Sequence, residues 1–551
     1  MAKTFTKKTA AIALAAGLAF SGSAGAVFAP VAGAQQISEI NAEKGSITIH
    51  KKVGAETHGN PNADGSPSDD VAGQPLDGAV FTVTKLNYDL TKEDEFAAAA
   101  ALQKTATGLA DIPADKMGEV VGTVTTGEDG NQKGEAKLSD LDAGVYYVTE
   151  QAPKNTDEVT YIPSAPFIVY VPMADSANKT WNRDVHVYPK NTELKATKEV
   201  KDAGKNPAAE KEEDRTLTYT VTSPAPVLPP KRELTELNAV DVYKKGDFVN
   251  GLKIAKVEIQ NSKGETIKEL TEGQAGEDQD LTDKYVVTDG AEEIKDQDGK
   301  VLADTKRTVT VTDKKLLDSL KPGDKLVVTL TGEVQKVKQN NEGEGIDDGE
   351  VTNFARTTGK TKVTGQPGFK SDEEPFETPN TSVESYFAAV RVIKFEKGEN
   401  GEEKKLDGAK FHVYSVPSTS ECTATDNRTT IQKEFEVTGG EAVINALHVT
   451  DFVDGKAVTP KVTTNKFCIE ETAAPSGYSL DTTPHELTVL KKDAQNPTTE
   501  NNLTFSSTTK VENKKRPAFE LPQTGGMGVL VMILGGLALL GGGAYAARRK
   551  A

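Results

Sequence analysis

Short stretches in which apolar and polar residues alternate, or in which every residue is apolar, recur along most of the chain. They include Ser46–Lys51, Val80–Leu86, Val145–Thr149, Phe167–Val171, Asp184–Tyr188, Thr216–Val221, Thr308–Thr312, Lys325–Leu330, Val390–Ile393 and Leu487–Leu490. Clusters of Gly, Pro, Asn and Asp separate them, so the period is that of strands with turns between, and the pattern predicts β-sandwiches in series. One segment departs from it. Lys92–Gln103 reads as a helix, with Thr91 placed to cap it and Glu93, Asp94 and Glu95 suited to its positive first turn.

The two ends follow other rules. Lys3, Lys7 and Lys8 precede an apolar stretch from Thr9 to Phe20, and Ala32-Gly33-Ala34 follows, which reads as a secretory signal peptide cut after Ala34; Ala24-Gly25-Ala26 offers a second site. At the other end Leu521-Pro522-Gln523-Thr524-Gly525 precedes an uncharged run from Met527 to Ala547 and a basic Arg548-Arg549-Lys550. At about 1.5 Å per residue that run is long enough for a bilayer, and its basic end stays on the cytoplasmic side. The rest of the chain is then extracellular.

Length divides into about three domains. The formal charge of −18 argues against nucleic acid, whose phosphates need a basic surface. Cys422 and Cys468 are the two cysteines. In a secreted chain, with no Cys-His arrangement to activate a thiol, they are expected to pair. Lys295-Asp296-Gln297-Asp298-Gly299 has the look of the start of a calcium loop, but the later glutamate of that loop is absent and a polar turn accounts for it, so no metal or other cofactor is assigned.

An internal repeat organises the strands. Leu76-Asp77-Gly78-Ala79-Val80-Phe81 returns as Leu406-Asp407-Gly408-Ala409-Lys410-Phe411. A strand ending in lysine precedes each copy, Ile47–Lys51 and Val390–Lys394, and a strand ending in acid follows, Tyr146–Glu150 and Phe467–Glu471. The region from Thr192 to about Ser382 lacks both features, so the first and last domains share a design that the middle one does not. The polar stretch Gly365–Thr381 marks the second boundary.

Residues two apart in a strand share a face. Lys51 therefore goes inward with Ile47 and Ile49, Lys394 with Val390 and Val392, Glu150 with Tyr146 and Val148, and Glu471 with Phe467 and Ile469. Asn513 shares a face with Val511, Asn353 with Val351 and Ala355, and Lys198 with Ala196 and Val200. Burial disfavours both ions of a lysine–carboxyl pair, leaving a neutral amine beside a protonated acid. Such an amine can attack an asparagine Cγ while the acid bonds the carbonyl, and ammonia leaves. This gives three triads: Lys51, Glu150 and Asn191; Lys198, Asp241 and Asn353; Lys394, Glu471 and Asn513. Asp247 competes with Asp241 for the middle acid. A buried ion pair with a hydrogen-bonded asparagine would satisfy the same groups without reaction.

The carboxyl-terminal LPQTG, apolar run and basic end resemble the sorting signal of Gram-positive surface proteins. The segment Phe467–Tyr478 is similar to the glutamate box of sortase-assembled pilins, with Phe467 and Ile469 in place of the more usual Tyr and Leu. Trp181-Asn182-Arg183-Asp184-Val185-His186-Val187-Tyr188-Pro189-Lys190-Asn191 resembles their pilin motif. End to end the chain looks like a major shaft pilin of the corynebacterial and actinomycete type. In the first domain the box departs from the pattern, with Gln151-Ala152 after Glu150.

The resemblance implies an all-β chain of three tandem Ig-like modules, of collagen-adhesin B, A and B type: 35–191, 192–383 and 384–516, between a signal peptide at 1–34 and a sorting region at 517–551. It implies that a sortase cuts after Thr524 and joins it to Lys190 of the next copy, with internal Lys–Asn isopeptide bonds in the modules. Parity puts Lys190 on the opposite face from Asn191, exposed to water, and Pro189 is expected to keep a sheet partner off that edge. The implied partners are further copies of the chain, polymerising and housekeeping sortases, minor pilins, peptidoglycan and host-cell surfaces, at the cell wall. Crosslinking is then a single-turnover self-modification and the chain is no enzyme. The alternative is a monomeric wall-anchored adhesin, which a dedicated binding domain would mark.

Overall fold

The structure, a computed structural model, describes residues 43–517 apart from 54–63, 103–111, 152, 154–158, 165, 176–179, 229–231, 275–280, 341–344, 364–372 and 459–464. The signal peptide and the sorting region, including Leu521, Pro522, Gln523, Thr524 and Gly525, lie outside the described residues. Within them, no helix is long and apolar enough to cross a membrane.

Strands dominate, and three apolar cores lie between paired sheets. In the first sandwich β1 (Gly45–His50) lies between β9 (Asp184–Val187), parallel to it, and β5 (Glu135–Leu141), antiparallel to it. The same layer continues through β2 (Lys52–Val53), β10 (Lys190–Leu194) and β7 (Thr160–Ile162). Facing it is a sheet ordered β4 (Met117–Thr125), β3 (Val80–Leu86), β6 (Gly144–Gln151) and β8 (Phe167–Val171). The alternation does what the pattern predicts: Ile47, Ile49, Val185 and Val187 meet Phe81, Val83, Val148 and Phe167 in one core.

The helix α1 (Glu93–Ala101) packs Phe96 and Ala99 onto this core. Its expected cap is not used. Asp89 accepts from both the amide and the hydroxyl of Thr91, so Thr91 is held in the preceding turn and Lys92 precedes the helix with no side-chain cap.

The middle sandwich sets β11 (Thr197–Lys201), β12 (Thr216–Pro224), β17 (Lys325–Glu333) and β14 (Lys253–Gln260) against β15 (Lys284–Lys295), β16 (Val301–Val311), β13 (Arg232–Tyr243) and β18 (Glu350–Val363). In the last sandwich, β22 (Glu441–His448), β19 (Thr381–Lys397) and β25 (Ser507–Glu512) face β21 (Thr429–Glu436), β20 (Lys410–Pro417), β23 (Asn465–Ala473) and β24 (His485–Leu487).

The junctions are strands rather than linkers. β10 runs through 191/192, its end paired with β7, and β19 runs through 383/384. The first part of β19 pairs with β18 and the remainder with β22 and β25, so one continuous strand belongs to both sandwiches. Side chains close the second junction. Asp202 takes the Ser385 hydroxyl at 2.6 Å and the His448 ring at 3.2 Å, and its other oxygen accepts from the Asp454 amide at 2.6 Å.

Candidate functional site

Each sandwich buries one lysine against one carboxylate; strand parity directs Lys51, Glu150, Lys198, Lys394 and Glu471 inward, whereas Asp241 lies on a strand whose neighbouring residues are buried on both faces, so alternation does not single it out. Lys51 lies 2.7 Å from Glu150, with both side chains fully enclosed. Lys394 lies 3.1 Å from Glu471, also enclosed, and Lys198 bonds Asp241. An aromatic ring floors each amine: Phe81, Phe411 and Tyr219 have centroids 5.6, 5.4 and 5.3 Å from the three nitrogens. Burial pushes all three ammonium groups below the usual lysine range, against the opposing pull of their acids. Burial likewise lifts the Asp241 carboxyl, although Lys198 and the Asn353 carboxamide favour its anion. Asp247, the other candidate, is buried elsewhere and answers to Lys244, Asp347, Asp348 and Asp304.

The asparagines stand close by in the lattice of strands. Lys394 is level with Val511 in the parallel pair β19–β25, and Asn513 is two residues further on. Ile49 level with Val187 and Lys52 with Lys190 put Lys51 level with Pro189, and Asn191 is again two residues further on. The two outer sandwiches thus share one register between lysine and asparagine. The middle one is built differently: Lys198 comes from one sheet, while Asp241 and Asn353 come from neighbouring strands of the other, Asp241 being level with Ala355. All three asparagines are buried. Asn513 donates to Glu471 at 2.9 Å and also bonds the Ser479 carbonyl. Among the described residues, Asn191 and Asn353 have neither carboxamide atom in a well-formed hydrogen bond.

The repeated LDGA sequence has a local task. In the first copy the Lys51 amide donates to the Gly134 carbonyl at 2.7 Å and the Leu76 amide donates to the Lys51 carbonyl at 3.1 Å. In the second, the Lys394 amide donates to Gly440 at 3.0 Å and the Leu406 amide to the Lys394 carbonyl at 2.8 Å. Asp77 then accepts from the Gly134 amide at 2.6 Å, and Asp407 from Gly439 at 2.8 Å. Gly78 and Gly408, at φ of 80° and 81°, make the left-handed turn that lets the leucine reach back. The phenylalanine ending each copy is the ring beneath the amine. The repeat is a clamp on the lysine.

The profile of the Gram-positive pilin subunit D1 N-terminal domain matches residues 42–192, and that of the SpaA prealbumin-like fold domain matches 391–503. Fimbrial subunit type 1 of Actinomyces viscosus is 28% identical over 92% of this chain and 90% of its own. Fimbrial subunit type 2 of Actinomyces naeslundii is 29% identical over 93% and 91%. Among solved structures, the full-length major pilin SpaD from Corynebacterium diphtheriae is 29% identical, covers 88% of this chain and 100% of its own, and superposes with a TM-score of 0.57.

The chain resembles Gram-positive major pilins of the actinomycete type along nearly its whole length.

Lys190 is half-buried rather than fully exposed, and burial together with the neighbouring Lys52 holds its amine below the usual lysine range. Pro189 does not leave an edge. Its carbonyl accepts from the Lys52 amide at 3.1 Å, because proline lacks only the donor, and β10 then has β2 on one side and β7 on the other. His186 is half-buried and Tyr188 buried, the latter stacked on His50 with centroids 4.7 Å apart. Cys422 and Cys468 form a disulfide. Asp296 spends one oxygen on the amides of Asp298 and Lys300, as a turn residue would. Among the described residues no cluster of His, Cys, Asp and Glu could hold a metal.

Sequence reasoning missed the groups that reach the acids from loops. Ser164 gives Glu150 its amide at 2.9 Å and its hydroxyl, and Asp481 gives Glu471 its amide at 2.7 Å. Neither lies in a repeat or at a strand parity that would have flagged it.

Proposed function

We propose that the chain forms a covalent polymer in which the Thr524 carbonyl of one copy is joined to the Lys190 amine of the next, followed by attachment to the cell wall. We further propose that each sandwich closes an internal amide: Lys51 to Asn191, Lys198 to Asn353 and Lys394 to Asn513. The observation that carries the second part is the enclosed set of Lys394, Glu471 and Asn513, in which acid touches both amine and carboxamide. A neutral Nζ attacks Cγ, the new C–N bond forms, Nδ2 leaves as ammonia, and the acid passes the proton from amine to leaving group. Glu150 and Asp241 take the same part in the other sandwiches. The first part is supported by the pilin motif and the LPQTG sequence. Tension along such a fibre passes through covalent bonds, and the internal links limit how far each module extends when force and protease set survival.

Intact mass of the ectodomain tests the internal bonds, because each removes one ammonia; a mass equal to the unmodified sequence overturns them. For the fibre, Lys190→Ala should leave a folded monomer and abolish high-mass polymers on cells. Retained ladders would remove Lys190 from that role.

A further inference from the structure

The middle and last sandwiches exchange core residues in both directions. On β19, Tyr386, Ala388 and Val390 enter the last core while Phe387 and Ala389 enter the middle one, so the strand is buried on both faces where it crosses the boundary. Ala446 of β22 also lies in the middle core. In return, Ala208 and Ala209 are buried in the last core, although they belong to the segment 202–210 that follows β11 of the middle sandwich.

That segment is fastened along its length. The amides of Asp202 and Ala203 donate to the Asp454 carboxylate at 2.9 and 3.2 Å, while the Asp454 amide donates back to Asp202. The Asn206 side-chain oxygen accepts from the His448 amide at 2.9 Å. The Ala208 carbonyl accepts from the Gln432 carboxamide at 3.0 Å, and the Glu210 amide donates to the Ile431 carbonyl at 3.1 Å. These last bonds cover β21, the end strand of its sheet.

A bulge in β22 forms the receiving side. Asn445 and Ala446 together stand opposite Ala389, where the register between β19 and β22 slips. The Ala446 carbonyl accepts from the Ala208 amide at 3.0 Å, and the Asn445 carboxamide exchanges two bonds of 2.9 Å with the backbone of Val337 in the middle sandwich. Ala446 has a φ of 71°, which an L side chain resists, so the bulge is held in place by what it contacts.

Modules joined by a small polar interface move independently by default. A continuous strand such as β19 can connect two such modules and still leave each core closed on its own residues. Here neither core is closed without the other. We propose that the segment 202–210 is a strap and the Asn445–Ala446 bulge its catch, so that the middle and last sandwiches open as one cooperative body instead of as two hinged modules. Under tension the pair then acts as a single stiff link, whether or not the chain is polymerised.

Native-state hydrogen exchange on the full ectodomain tests the coupling, with intact mass taken on every sample so that chains with the same internal bonds are compared. Ile259→Val, a mild change in the middle core, should lower the protection of the slowest middle-sandwich amides roughly two- to tenfold, and the slowest amides of β20 and β23 should fall by the same factor. Asp202→Ala combined with Asn445→Ala releases strap and catch; in that background Ile259→Val should lower protection in the middle sandwich alone. Last-sandwich amides that ignore Ile259→Val while the joint is intact overturn the proposal, and this arm needs no joint variant to fold. Coupling that survives the release of strap and catch also overturns it, because the shared strand β19 would then carry the effect by itself.

Discussion

The first and last sandwiches hold the same lysine in the same clamp, with the asparagine at the same offset along a parallel strand, yet they differ at the acid. Glu471 accepts at one oxygen from Asp481 and from the Asn513 carboxamide, with Lys394 at the other. Glu150 accepts from Lys51 and from both donors of Ser164 at a single oxygen, and among the described residues its other oxygen and the Asn191 carboxamide make no hydrogen bond. In the proposed reaction the duplicated strands set out nucleophile and electrophile in both places, while the loops decide whether the acid reaches the leaving group. The last sandwich is organised for reaction. In the first, the acid is occupied by a serine that the duplication does not include.

Removing the acid gives the largest expected effect. Glu471→Ala should leave the Lys394–Asn513 bond unmade, so that the ectodomain keeps one ammonia, while the bonds of the other sandwiches form as before. It also strands a buried amine, which costs about 3–5 kcal/mol in the last sandwich. If peptide mapping of this variant still found Lys394 joined to Asn513, the acid would have no part in the chemistry and the comparison would lose its basis.

The middle sandwich sharpens the comparison because two of its buried carboxyls, Asp241 and Asp247, are candidates for the acid, and only Asp241 meets the lysine. Burial raises the Asp247 carboxyl to about 8, with Lys244 opposing and the nearby aspartates adding to the shift. In the unfolded chain it ionises near 4, so between about pH 4 and about 8 the folded state binds the extra proton and stability falls as pH rises. The loss is complete above the folded value and is at most about 5 kcal/mol. Asp247→Asn should remove this dependence: its gain in Tm should be small at pH 5 and larger at pH 8, with crosslinking of Lys198 unaffected. A gain independent of pH would mean that Asp247 is ionised in the fold. Loss of the Lys198 bond would make Asp247, rather than Asp241, its acid.

Freeing Glu150 is the third step. Ser164→Ala removes the hydroxyl but keeps the backbone donor, and should let the first sandwich close several-fold faster after refolding, approaching the last. Time-resolved peptide mapping of both bonds in one sample reads this directly. A first bond that already forms as fast as the last in the unaltered chain would contradict the assignment of Ser164 as a competitor.

The strands and their faces were legible because period and parity are local properties: Lys51, Lys198, Lys394, Glu150 and Glu471 all went inward as alternation required. The duplicated LDGA could be seen in the sequence, but not its purpose, since Gly134 and Gly440 meet the lysines only through the sheet. Ser164 and Asp481 were illegible for the same reason. The polar stretch 365–381 was legible as a boundary but not as structure: Glu373–Glu377 pairs with β18 and β19 begins at Thr381, because polar residues serve well in a sheet face turned to water. Lys190 was expected in open solvent because parity reports which side a residue faces; its half-burial comes from the strands that flank β10.

The smallest effect concerns what the two sandwiches share. Asp77 and Asp407 each tie down the glycine turn whose carbonyl holds the lysine amide, so neither touches the reacting atoms. Asp77→Ala and Asp407→Ala should each remove one carboxylate–amide hydrogen bond, worth about 1–2 kcal/mol locally, and slow their own bond by a modest factor while leaving the other sandwich unchanged. The asparagine variants, which keep an acceptor oxygen, should recover most of the rate. Because the clamp is the same in both places, the two alanine variants should slow their bonds by the same factor even though the absolute rates differ. Unequal factors would mean that the clamp and the acid are not independent, and that the difference between the first and last sandwiches begins at the lysine rather than at Ser164.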